Sequence, residues 1–318
     1  MSSYPFPPAY HDPAYCLAPG LFSAVPHGQR HQPFRLVYAF GKTEHLEFLG
    51  HQRLGADDLK TLLALVTLAS SPDYAGTYQI DPDTAHPIGQ RLRGGLELQE
   101  DAVRKPILAV HTSFYRLGKL VGFSHHGTRQ IQLIQDSLER LALVTVIVQS
   151  RSRNKTRRTI SHIIGWCDST IEDSESSGTL WVALDTRITE AVLGMKRYSL
   201  LFLRDVQILG SDVAVLLYQR LCGWIDPGIQ RSIALDTLVQ YVYPHDVHST
   251  THPNHTEKKL RWYRRHSVLT ALEKFRSIHW DVTIDRMDRA PQHWMVTIRR
   301  PSPSVLALDQ NSVLTLDP

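Results

Sequence analysis

Apolar residues recur every three to four positions in several stretches, and the longest, TEKKLRWYRRHSVLTALEKFRSI (256–278), changes character half-way along. Val268, Ala271, Leu272 and Phe275 stand at i, i+3, i+4 and i+7, the stripe of a helix lying on a core. Upstream, Lys258, Lys259, Arg261, Arg264 and Arg265 are set against one acid, Glu257, and carrying the stripe back one turn puts Arg264 and Arg261 where leucine belongs. That end of the helix is therefore expected to leave the protein body, with Arg261 and Arg265 on its outward, groove-facing side. After Trp280, the alternating stretches DVTID and WMVTIRR flank the turn-rich RMDRAPQH and predict a β-hairpin. A short helix, a long basic helix and a hairpin in this order make a winged helix, a helix-turn-helix variant with a β wing.

The same order occurs earlier in the chain. ADDLKTLLALVTLAS carries Leu59, Leu62, Leu63, Val66 and Ala69 at helical spacing, with Asp57 and Asp58 in the first turn where the helix dipole favours acids. TSFYRLGKLVGF predicts a short helix, and RQIQLIQDSLERLAL a long one after the cap Gly127-Thr128, with Ile131, Ile134, Leu138 and Leu141 on its core face. VTVIVQS and RTISHIIGW then predict a second hairpin. The later unit opens with SDVAVLLYQRLCGWIDPG and LDTLVQYVYP, two more helices. The expected fold is α+β with two tandem winged-helix domains, at 34–205 and 206–300. FRLVYAF and EHLEFLG predict strands around Gly41-Lys42-Thr43, and residues 70–105 read as loops with short strands. Residues 1–33, rich in proline, form an arm, and 301–318, without periodicity, a tail.

Composition narrows the class of partner. With 42% hydrophobic and 21% charged residues the chain is globular, and no run approaches the roughly 18 apolar residues that span a bilayer, so no membrane partner is expected. Cys16, Cys167 and Cys222 are odd in number, widely spaced and outside any CxxC, which disfavours a disulfide framework or zinc finger and suits a reducing cytoplasm. The net charge is only +4, so a polyanion partner rests on where the cations sit. Arg151, Arg153, Lys155, Arg157 and Arg158 occupy the tip of the first hairpin with no acid among them, as phosphate contacts would. Arg129, Gln130, Gln132 and Gln135 lie off the core face of the first long helix; Arg pairs bidentately with guanine and Gln with adenine, so these are candidate base readers. Lys258, Lys259, Arg261, Trp262, Arg264, Arg265 and His266 are the first choice for contacts to double-stranded DNA. Each cluster is also compatible with an ordinary solvated face.

Catalytic signatures are missing: no phosphate loop, no HExxH, no GxSxG. Tyr263 among arginines lacks the partners of a recombinase nucleophile. His248, His252 and His255 have suggestive spacing, but the segment reads as a loop without a Cys or acid to complete a tetrahedral set, so no metal and no cofactor are expected.

At HDPAYCLAPGLF (11–22), LGADDL (54–59), LLYQRLCGWIDPG (216–228) and SIALDTLVQYVYP (232–244), the chain closely resembles the RepC replication initiators of IncQ-type broad-host-range plasmids. The resemblance runs from about His11 to Pro301. It implies tandem winged helices, binding to directly repeated iterons in a plasmid origin, opening of adjacent AT-rich DNA, and loading of plasmid-encoded helicase and primase. The family's basic third helix carries over onto Lys258 to His266, with the cations in a different order. A transcriptional repressor of the same fold is the alternative, and a monomer and a homodimer both stay open.

Overall fold

The computed structural model describes residues 7–26, 28–125, 127–152, 155–168, 178–244, 255–286 and 294–302. Arg153, His248, His252, the centre of the second hairpin turn, the first six residues and the C-terminal tail from 303 lie outside them, as do the side chains of Lys155 and His255.

The N-terminal segment is integral to the body rather than an arm along its described length. Asp12 accepts the backbone N–H of Ala14 at 2.6 Å and Pro13 takes the first helical turn, where its missing donor costs nothing. Strand β1 (Ala9–His11) therefore runs straight into helix α1 (Pro13–Leu17). β1 pairs antiparallel with Ser199–Leu201, and Ala14, Tyr15, Leu21 and Phe22 are buried.

β2 (Phe34–Phe40) and β3 (Glu44–Gly50) form the expected hairpin, turning at Gly41 with φ of 63°, a conformation glycine adopts without strain. Helix α2 (Ala56–Ala69) is buried on nearly every side instead of along one stripe, because it is the central helix of the molecule. β4 (Thr77–Ile80), α3 (Pro87–Gly95), β5 (Gln99–Glu100) and β6 (Ile107–Ser113) follow. α3 lies where loops are expected: Pro87 opens it, and it settles on a later strand at Gly165, on which an added Cβ would come within 2.8 Å of the Gly95 carbonyl carbon.

α4 (Phe114–Val121), α5 (Thr128–Ala142), β7 (Val144–Ser152) and β8 (Lys155–His162) realise the first helix–helix–hairpin order. RTISHIIGW, expected as one strand, breaks at buried Ile163: β8 ends, and β9 (Ile164–Asp168) joins a different sheet. β10 (Thr179–Leu184), α6 (Thr186–Val192), β11 (Ser199–Leu201) and α7 (Leu203–Leu209) lead to the second unit. That unit comprises α8 (Asp212–Trp224), β12 (Gln230–Ala234), α9 (Leu235–Val242), α10 (His255–Lys274), β13 (Asp281–Asp285) and β14 (Met295–Arg299). The sheets run β2-β3-β7-β8-β5, β4-β6-β10-β9, β12-β14-β13 and β1-β11. Buried side chains from Ala9 to Ile298 form one continuous cluster that joins both helical units.

Candidate nucleic-acid interface

α10 is 20 residues long, roughly 30 Å, and only its C-terminal half has a core to lie on. Val268, Ala271, Leu272 and Phe275 are buried as the stripe predicts, whereas every residue from Lys258 to Tyr263 is exposed. The exposed half is nevertheless tethered on one side. Arg265 meets Asp236 of α9 through a two-pronged ion pair, Nε to Oδ1 and Nη2 to Oδ2, both at 2.6 Å. The guanidinium of Arg264 lies 5.3 Å from the centre of the Tyr243 ring. Both arginines are half-buried.

The expectation that Arg265 faces outward is therefore corrected. At 3.6 residues per turn, Arg261, Arg264 and Arg265 project from the same side as Val268 and Leu272, and Arg265 reaches across to α9. The opposite side carries Lys259, Trp262, Tyr263, His266 and Thr270, all exposed. Trp262 is 56% and Tyr263 50% exposed. The Trp262 and His266 rings stack nearly parallel, at 5.2 Å and 4°, and Tyr263 stands edge-on to the indole at 5.1 Å. Lys259 sits 5.8 Å from the Tyr263 ring centre. Tyr263 and Thr270 were not among the sequence candidates, although continuing the helical period past Val268 identifies their face.

α5 is held differently. Arg140, 9% exposed, donates from its last turn to Asp58 at 2.9 Å and to Asp57 at 3.1 Å in the first turn of α2, and Arg30 binds the same two acids. Burial, then the neighbouring Asp57 carboxylate, push the Asp58 carboxyl up to about 6. Of the proposed readers, Arg129 is exposed, but Gln130 is half-buried and its Oε1 accepts the Gly127 N–H at 3.2 Å, closing the N-terminal turn. Gln132 is exposed and bonded to Asp136 at 2.8 Å, and Gln135 is half-buried. The outward side of α5 thus mixes Arg129 and Gln132 with two acids, Asp136 and Glu139, and is less suited to a polyanion than that of α10.

The β7–β8 hairpin places its cations on both faces. Arg158 opposes Gln149, Arg157 opposes Ser150 and Arg151 opposes Thr156. Opposed residues share a face and neighbours alternate, so Arg151 and Arg158 lie on the solvent side, while Arg157 continues the row of Val148 beyond the core. All three are exposed, Arg158 with Glu100 at 3.8 Å. The Lys155 backbone opens β8 opposite Ser152.

Among the described residues no group of His, Cys, Asp and Glu is placed to hold a metal ion, and no helix is long and apolar enough to cross a membrane. The sequence matches the model of the family described as replication protein C (RepC) over residues 5–295, nearly its whole length. The chain belongs to the RepC family. Solved structures of RctB domains share the fold of this RepC-family chain. A selenomethionine structure of domains 2 and 3 of RctB aligns with a TM-score of 0.57 at 12% identity, covering 91% of this chain and 98% of the other. A second structure of RctB domains 2–3 gives 0.53 at 13% identity, covering 90% and 97%. No curated protein sequence matches.

Proposed function

We propose that this RepC-family chain is a non-enzymatic plasmid replication initiator that binds directly repeated DNA through two winged-helix domains, divided near residue 205. It opens the adjacent AT-rich segment and receives the plasmid helicase and primase. The observation that carries this reading is α10, whose outward face combines Lys259 with Trp262, Tyr263 and His266 on a helix end without a core of its own. Such a face fits the major groove, where base edges and thymine methyls replace missing neighbours. The exposed cations of the β7–β8 hairpin supply sequence-independent phosphate contacts. The order α8, β12, α9, α10, β13, β14, with β14 in the centre of its sheet, supports the winged-helix reading of the second unit.

The test is footprinting of the purified protein on the origin of its own plasmid, with permanganate to detect unpaired thymines. Protection of tandem direct repeats with reactive thymines in the neighbouring AT-rich segment is the expected result. Protection confined to one inverted repeat over a promoter, without unpaired thymines, overturns it in favour of a repressor.

A further inference from the structure

We propose that Tyr78, His111 and Trp181 form a stacking site for single-stranded DNA, at the uncovered end of the outer face of the β4-β6-β10-β9 sheet. One face of this sheet belongs to the main core through Leu108, Val110, Leu180 and Val182. Alternation sends Ile80, Ile107, Ala109, Ala183 and Cys167 to the other face, where Leu92 and Leu96 of α3 bury them as a small second core. α3 packs on β9 and β10, and towards the edge strand β4 the same face continues as three rings. His111 stands directly opposite Trp181, and the two rings stack at 4.4 Å and 14°. Tyr78 lies 5.2 Å from the indole and is 46% exposed.

The make-up of this end decides what can lie on it. A face that only meets water has no use for three adjoining rings, and exposed apolar patches mark sites where something else is bound. Among the described residues, none that the four strands turn to this face carries a formal charge, so it offers no ion pair to a charged protein surface. The acids nearby in sequence lie on the other side: Asp81 bonds Gln79 at 3.0 Å across β4 from Tyr78, and Asp168 stands opposite buried Leu180. Burial lowers the His111 pKa below its ordinary value, which keeps the ring neutral at physiological pH and suited to stacking. A row of rings is extended by another flat ring, and every base of an unpaired strand presents one, whereas a duplex keeps its base faces covered. A cation for the sugar–phosphate chain stands beside the rings. The guanidinium of exposed Arg116 lies 4.9 Å from the centre of the Tyr74 ring, and the Tyr74 hydroxyl donates to the His111 carbonyl at 2.5 Å. On the proposed function the strand is the AT-rich segment once opened, and the site rests on that reading for the origin of its ligand alone.

Fluorescence anisotropy of the full chain with a labelled oligothymidine of about 12 nucleotides tests the site. The parent binds it in the micromolar range, with a shallower fall of log affinity against log salt than for duplex DNA, because stacking outweighs charge here. Tyr78→Ala and Trp181→Ala each weaken it about tenfold, Tyr78→Phe retains it, and none changes affinity for duplex DNA or the circular dichroism spectrum. An oligonucleotide carrying bromouracil cross-links under ultraviolet light to Tyr78 or Trp181. A parent that binds duplex DNA but not oligothymidine overturns the site and leaves the initiator reading standing; one that binds oligothymidine through Tyr78 but no duplex keeps the site and overturns that reading. Full affinity in Tyr78→Ala, cross-links confined to Trp262 and Tyr263 of α10, or tighter binding of oligouridine than of oligothymidine each overturns the assignment to single-stranded DNA.

Discussion

Arg265 and Trp262 are three positions apart and have opposite environments. Arg265 is half-buried and clamped to Asp236, so its role is to hold the overhanging half of α10 against α9. Trp262 is exposed on the far side. Trp262→Ala is expected to leave thermal stability within about 0.5 kcal/mol of the parent, as for most exposed sites. In fluorescence anisotropy it should cost about 1–3 kcal/mol on the cognate repeat. Arg265→Lys keeps the charge but loses the two-pronged geometry. It should lower the melting temperature and weaken cognate and random duplexes in parallel, with base preference unchanged. A changed base preference for Arg265→Lys with none for Trp262→Ala would reassign the reading face.

Arg140 is another cation set by tertiary partners. Arg140→Leu leaves the fully buried Asp58, beside Asp57, with Arg30 as its remaining cation, so the loss should stay below the about 3–5 kcal/mol of breaking an isolated buried pair. Denaturant unfolding measures the loss, and adding Asp58→Asn should restore part of it. Asp185 yields a pH signature. It accepts the Tyr15 hydroxyl at 2.5 Å and caps α6 through the Ile188 N–H at 2.7 Å, and burial pushes its carboxyl up to about 7. The folded state keeps a proton that the unfolded chain releases near its ordinary value of ~3.9, so this contribution is full below that value and is lost as pH rises through about 7. His11 runs the other way: burial lowers it to about 4, and its contribution is lost as pH falls from ~6.5 towards that value. Asp185→Asn keeps an oxygen for the α6 cap and does not titrate, while its Nδ2 cannot accept the Tyr15 hydroxyl, a loss that is the same at every pH. Its stability relative to the parent should therefore climb between pH 4 and 7 in urea midpoints; a flat difference would reject the assignment.

At the level of elements, the sequence was most legible where one helix or hairpin carries its own pattern. The stripe of α10, the hairpin of β2 and β3, and α5 after its glycine cap all lie where periodicity and turn residues put them. α3 was hidden because Pro87, Gly94 and Gly95, which punctuate it, look like loop residues until the strand beneath is known. The faces of α10 were misassigned for a similar reason: the pattern shows where the stripe ends, but only the placement of α9 reveals that Arg265 has a partner. Among the hairpin cations, Arg157 and Arg158 are exposed next to the strand end. Replacing both by Ser should weaken cognate and random DNA alike and flatten the slope of log affinity against log salt by about 0.9 for each phosphate no longer neutralised. An unchanged slope would place the hairpin away from DNA.

For the whole molecule, the decisive feature is how distant segments close on one another. β1 pairs with β11 across some 190 residues of chain. Arg300, 3% exposed, donates to the carbonyls of Cys222 and Ile225 at 3.0 Å and of Leu200 at 2.5 Å. Arg300→Ala should therefore destabilise the body as a unit, leaving those buried carbonyls without their donor at about 1–3 kcal/mol each, and a single cooperative unfolding transition shifted downward is the expected result. The same closure has a consequence in time. On the ribosome, the segment around Tyr15 emerges before β11, its partner, and about 285 residues before the latch at Arg300. At about 5–20 residues per second, that delay is on the order of 15–60 s. During it the apolar segment around Tyr15 lacks its full native surface, so nascent chains of this protein should depend on chaperones until β11 and Arg300 have emerged.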